Sequence, residues 1–124
     1  MFIIKSAGRL LSGLLLFVTI SAARADLYLP DGHAWEKATE RERVAYILGL
    51  SNTLTIGYVS DEKRLPGNEQ TFTHRAVKGL SGTSVQQAVA VIDAWYKANP
   101  EQLNIPVLKV LWDQIGKPRL AESE

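Results

Sequence analysis

Three stretches of the chain repeat apolar residues at three- and four-residue spacing, and each is bounded by residues that start or stop helices. In the first, Thr39 and Glu42 stand at capping-box spacing ahead of Val44, Ile47, Leu48, Ser51, Leu54, Thr55 and Tyr58. This predicts a helix of about five turns that ends around Tyr58–Asp61, before the Pro66-Gly67 turn. In the second, Thr83 with Gln86, or Ser84 with Gln87, can cap a helix carrying Val85, Ala88, Val89, Ile92 and Trp95 or Tyr96. Asn99-Pro100 closes it, because the residue before a proline is pushed out of helical geometry. The third runs from Pro106 to Ile115 and stops at Gly116 with Pro118 beyond, leaving Arg119–Glu124 as a frayed tail.

Between the first two helices, Leu65–Gly82 reads as an irregular segment with isolated apolar anchors at Phe72, Val77 and Leu80. A short helical piece capped by Thr73 fits within it, and an ordered loop of this length is a place to look for function. The fold class expected is therefore all-α: a small bundle of three main helices with an irregular excursion after the first. Gly49, Thr53 and Gly57 lie at four-residue spacing on the first helix. Glycine inside a helix costs roughly 0.5–1 kcal/mol relative to alanine, so these three positions are expected to serve close helix packing.

The first 25 residues have the pattern of a cleavable signal peptide. Lys5 and Arg9 give a basic start, Leu10–Ile20 is almost continuously apolar, and Ala23-Arg24-Ala25 is a small-x-small cleavage pattern before Asp26. The apolar run is roughly half of the about twenty residues a membrane-spanning helix needs. A periplasmic or secreted single domain over residues 26–124, with no stable membrane insertion after cleavage, is the expectation. Loss of Lys5, Arg9 and Arg24 turns the formal charge of +1 into −2. No basic cluster remains that would suit a nucleic acid. The chain has no cysteine, so its stability rests on an apolar core rather than on disulfides.

The motifs of catalysis are missing from the sequence. His33 and His74 are the only histidines and share no metal-ligand spacing. Asp61-Glu62 adjoins Lys63-Arg64 as a solvated helix end, and no serine sits in a nucleophile elbow. Arg41 and Arg43 read as solvent-facing residues beside the capping box. No cofactor is expected, and a small hydrolase using His33 or His74 with a carboxylate of Asp61-Glu62 is a minor alternative. The aromatics carry more information, because they offer large contact area with little flexibility. Trp35, lying just upstream of the first helix, is expected to fold its indole over the helix base. Trp35, Trp95 and Tyr96, with His74 in the polar segment, are the candidate interaction residues of a protein-binding module. The other alternative is an accessory subunit of an envelope complex, its core completed by its own copies or by a partner. The partner's identity and the oligomeric state are open.

Arg43-x-x-Tyr46-x-x-Gly49, Gly57, Gly82-Thr83-Ser84-x-x-Gln87, Trp95-Tyr96-x-x-Asn99-Pro100 and Ile105-Pro106-Val107 together resemble small exported bacterial proteins of uncharacterised function. More distantly, the arrangement resembles the Rap1a/Tai group of periplasmic immunity proteins, which protect a producing cell from secreted cell-wall hydrolases. That resemblance implies inhibition by binding, with no catalytic residues to transfer. The cysteines common in that group are not present here.

Overall fold

The computed structural model describes residues 28–123, and the leader expected over residues 1–25 lies outside them. Among the described residues the chain is all-α, with no strand and one isolated antiparallel bridge between Asp31 and Pro106. Helix α1 (Gly32–Lys37) starts at Asp31, whose carboxylate accepts the Ala34 amide at 3.1 Å. Helix α2 (Glu40–Arg64) starts at a complete capping box: Glu42 accepts the Thr39 amide at 2.7 Å, and Thr39 accepts the Glu42 amide at 3.3 Å.

α2 continues past Asp61, beyond the end the sequence suggested. Lys63 and Arg64 complement the negative C-terminal end of the helix dipole and so prolong it rather than stop it. The stop is Leu65, held out of helical geometry by Pro66, with Gly67 turning at φ 73°.

The segment expected to be irregular contains helix α3 (Phe72–Leu80). Its cap is Thr71, which accepts the His74 amide at 3.2 Å. Thr73, the expected cap, instead donates its hydroxyl to Asp61 on α2. α4 (Val85–Ala98) is capped by Ser84 and Gln87, not by Thr83. It closes at Asn99, whose amide bonds the Trp95 and Tyr96 carbonyls. A 3₁₀ turn, Pro100–Gln102, follows.

The third expected helix also runs further than its sequence suggested. Helix α5 (Val107–Leu111) passes into a π-helical turn, Trp112–Gly116, and then into α6 (Lys117–Glu122). In a regular helix the Pro118 ring would strike the carbonyl four residues back. The wider π-turn makes room, and the Lys117 amide reaches the Trp112 carbonyl five residues back. Gly116 and Pro118 thus redirect the helix instead of ending it, and the tail is helical to Glu122.

The core lies where α2, α4 and α5 meet. Ile92, Val107 and Val110 are almost completely buried in it, beside Ile47, Val89 and Leu111. Each such side chain contributes roughly 1.5–3 kcal/mol by leaving water. α3 then packs on α2, on the π-turn and on α6, so the three expected helices are joined by a fourth packing element.

The glycine packing also differs from the expectation. Gly49 and Thr53 are exposed, a Cβ built at Gly49 meets nothing within 4 Å, and the Thr53 hydroxyl bonds the Gly49 carbonyl of its own helix at 2.9 Å. Their row points away from the core side that holds Ile47 and Leu54, which is why no neighbour reaches them. Gly57 does sit against α3, with a built Cβ 2.7 Å from the Thr73 methyl. A close approach to backbone lies elsewhere: a Cβ at Gly79 of α3 would lie 2.7 Å from the Gly116 carbonyl oxygen.

Candidate functional site

The residues proposed for partner contact divide sharply once placed. Trp35 is 4% exposed and donates its indole N–H to Asp93 of α4 at 2.6 Å. Its ring meets Tyr46 edge-on at 6.3 Å, and the Arg43 guanidinium lies over it at 5.6 Å. Arg43 is therefore not a solvent-facing residue: it bonds Asp93 at 3.1 Å and the Trp35 carbonyl at 2.9 Å. Tyr96 is also buried, and its hydroxyl donates to the Ile105 carbonyl at 2.6 Å. Burial, then the charge of Asp31 and the neighbouring Tyr46, push its pKa up to about 12. Neither Trp35 nor Tyr96 is free to anchor a partner, because both have their polar atoms bonded within the fold and their rings in the core. Trp95 is half-buried and lies edge-on to Tyr96 at 5.2 Å.

The two histidines are on different helices. His33 is exposed on α1, whereas His74 sits on α3 with its ring 5.1 Å from Tyr58 and its Nδ1 3.4 Å from a Glu62 carboxylate oxygen. Together with the bond from Thr73 to Asp61, this ties the end of α2 to the start of α3. Among the described residues, no group of three or more His, Asp or Glu side chains is placed to share a metal ion.

An apolar cleft with little sign in the spacing of residues lies between α3 and α5. Its volume is about 270 Å³, just under the roughly 300 Å³ lower end of small-molecule pockets. α3 contributes Phe72, Ala76 and Leu80, which share one face at four-residue spacing. Leu108 and Trp112 form the opposite wall. The π-turn sets Trp112 here: its ring covers Gly116, where no Cβ would fit, and stands 6.3 Å from Phe72.

Phe72 is 61% exposed at the mouth of this cleft. One charged rim follows the helix at four-residue spacing, Lys109, Asp113 and Lys117. Asp113 pairs with Lys109 and, at 2.9 Å, with Lys117. Hydrogen bonds from these two ammonium groups hold its carboxyl below the ordinary carboxylate range. Two cations against one anion leave the rim net positive. The sequence signal that pointed here was Phe72 itself, an apolar anchor in a polar surrounding, but its cleft depends on Trp112 arriving from 40 residues away.

Comparison with protein-family models, with characterised proteins and with solved structures finds no match to this chain.

Proposed function

We propose that this chain is an exported, non-catalytic protein-binding module that recognises its partner through the cleft between α3 and α5. The observation that carries the reading is Phe72, a large aromatic left in water beside an apolar cleft. Filling such a site with an apolar side chain removes both surfaces from water, which is how hot-spot pockets at protein interfaces work. The positive rim of Lys109, Asp113 and Lys117 favours a partner segment that sets a carboxylate next to its apolar anchor. The basic start, apolar run and Ala23-Arg24-Ala25 pattern support placement in the periplasm or outside the cell.

The specific form of this reading is an immunity-type inhibitor of a secreted cell-wall hydrolase, which the sequence resemblance implies. It is tested by titrating the chain into purified cell-wall hydrolases secreted by the same cells and following peptidoglycan release. The expected result is saturable inhibition at one-to-one stoichiometry that Phe72→Asp abolishes. Unchanged hydrolysis at large molar excess rejects the inhibitor form. Inhibition that survives Phe72→Asp rejects the cleft as its site.

A further inference from the structure

Two exposed apolar side chains border the α3–α5 cleft: Phe72 from α3, and Leu29, 59% exposed, from the stretch ahead of α1. Leu29 precedes Pro30, which pushes it into extended geometry. Along an extended chain successive side chains point to opposite sides, and Tyr28 is indeed turned to water while Leu29 lines the cleft. By the same alternation the next residue on the side of Leu29 is Leu27, with the acidic Asp26 ahead of it. Both lie outside the described residues.

The bridge between Asp31 and Pro106 sets the direction in which this stretch runs. It is antiparallel, and the Val107 amide donates to the Pro30 carbonyl at 2.8 Å. The chain followed backward from Asp31 therefore sets out the same way as the chain followed forward from Pro106 into α5. Leu29 and Leu108, each two residues from the bridge, both line the cleft. Two further extended residues, at about 3.3 Å each, match the helical turn of about 6 Å from Leu108 to Trp112. We propose that the cleft is covered by this chain's own Asp26-Leu27, with the Leu27 side chain against Phe72 and Trp112 and the Asp26 carboxylate against the lysines of the rim.

Continuity, charge and reach select this occupant together. Leu29 already stands at the cleft, so Leu27 arrives at the high effective concentration of a two-residue tether. A small contact then suffices, because no separate molecule loses its freedom on binding. Lys109 and Lys117 around Asp113 leave one positive charge unanswered, and Asp26 brings one carboxylate. With cleavage after Ala25, the new α-amino group stays in water at the end of the chain. Seated in this way, Asp26-Leu27 is a strap that a partner must displace, and the fraction of open molecules scales the partner's apparent affinity. That consequence deepens the recognition reading above and rests on it, whereas the seating of the strap does not.

The exported chain tests the strap without any partner. In nuclear magnetic resonance the Leu27 methyl protons should show contacts to the ring protons of Phe72 and Trp112. The anionic apolar dye 8-anilinonaphthalene-1-sulfonate should bind Leu27→Ser at least tenfold more tightly than the parent chain, and adding Phe72→Asp should cancel that gain. Leu27→Met, which keeps an apolar side chain, should bind the dye as weakly as the parent. Absence of contacts from Leu27 to both rings overturns the proposal, as does dye affinity equal in the parent and Leu27→Ser. Contacts seen only between differently labelled copies, or a mature terminus that begins beyond Leu27, overturn it too. Intact contacts in a chain that captures no partner reject the recognition reading alone, and the reverse pair of results rejects the strap alone.

Discussion

Trp35 and Asp93 meet across 58 residues of sequence through one 2.6 Å hydrogen bond, and Arg43 closes on both of them. The bond pins α1 and the start of α2 to the middle of α4 and leaves the indole N–H satisfied inside the core. Asp93→Ala removes the acceptor for a buried donor and the carboxylate for Arg43. The expected cost is about 1–3 kcal/mol, read as a lowered midpoint of chemical denaturation. Trp35→Phe made in the Asp93→Ala background should add less than it does in the parent, since the shared bond is already gone.

Two glycines separate the helix-propensity effect from close packing. At Gly49 an added methyl meets nothing within 4 Å, so Gly49→Ala should stabilise by up to about 1 kcal/mol through helix propensity. At Gly79 the same methyl would lie 2.7 Å from the Gly116 carbonyl oxygen, a backbone atom that cannot swing aside. Gly79→Ala should therefore destabilise, by about 1–3 kcal/mol as for overpacked sites. Opposite shifts in Tm check both statements together.

These positions also show what can be read from sequence. The boundaries set by local chemistry are partly legible: Thr39–Glu42 starts α2 and Asn99-Pro100 ends α4, whereas two capping pairs, Thr83 with Gln86 and Ser84 with Gln87, fit the start of α4 equally from sequence and the second is used. Gly116 and Pro118 look like a stop from sequence alone because the π-turn that accommodates them sits where Gly116 packs against Gly79 of α3. Trp35 and Tyr96 looked available to a partner because their acceptors, Asp93 and the Ile105 carbonyl, lie on separate elements. Phe72 stood out as an apolar residue in a polar stretch, but spacing alone does not bring Trp112 and Leu108 to it.

Tyr96 gives the fold a distinct alkaline limit. Its folded-state pKa is raised to about 12, while in the unfolded chain it titrates at about 10. Below pH about 10 the phenol is protonated in both states and contributes no pH dependence. Between about 10 and about 12 the unfolded chain loses the proton first, so stability falls as pH rises. Tyr96→Phe should flatten that decline in denaturation midpoints measured across the window, while lowering stability at neutral pH through loss of the bond to Ile105.

Phe72→Asp should separate binding from folding. With the ring mostly in water, the change is expected to alter stability by no more than about 0.5 kcal/mol, as surface substitutions usually do. Partner affinity should fall at least tenfold, equal to about 1.4 kcal/mol, in titration calorimetry. A loss of helical circular dichroism in this variant would instead assign Phe72 to the core.

The most direct test of recognition through the α3–α5 cleft places a photoreactive amino acid at position 72 and, separately, at the exposed Lys37, in cells that export the chain. The expected result is one protein adduct of defined mass from position 72, none from position 37, and loss of that adduct when Leu108→Glu charges the opposite wall. Equal adducts from both positions, or an adduct indifferent to Leu108→Glu, would contradict it.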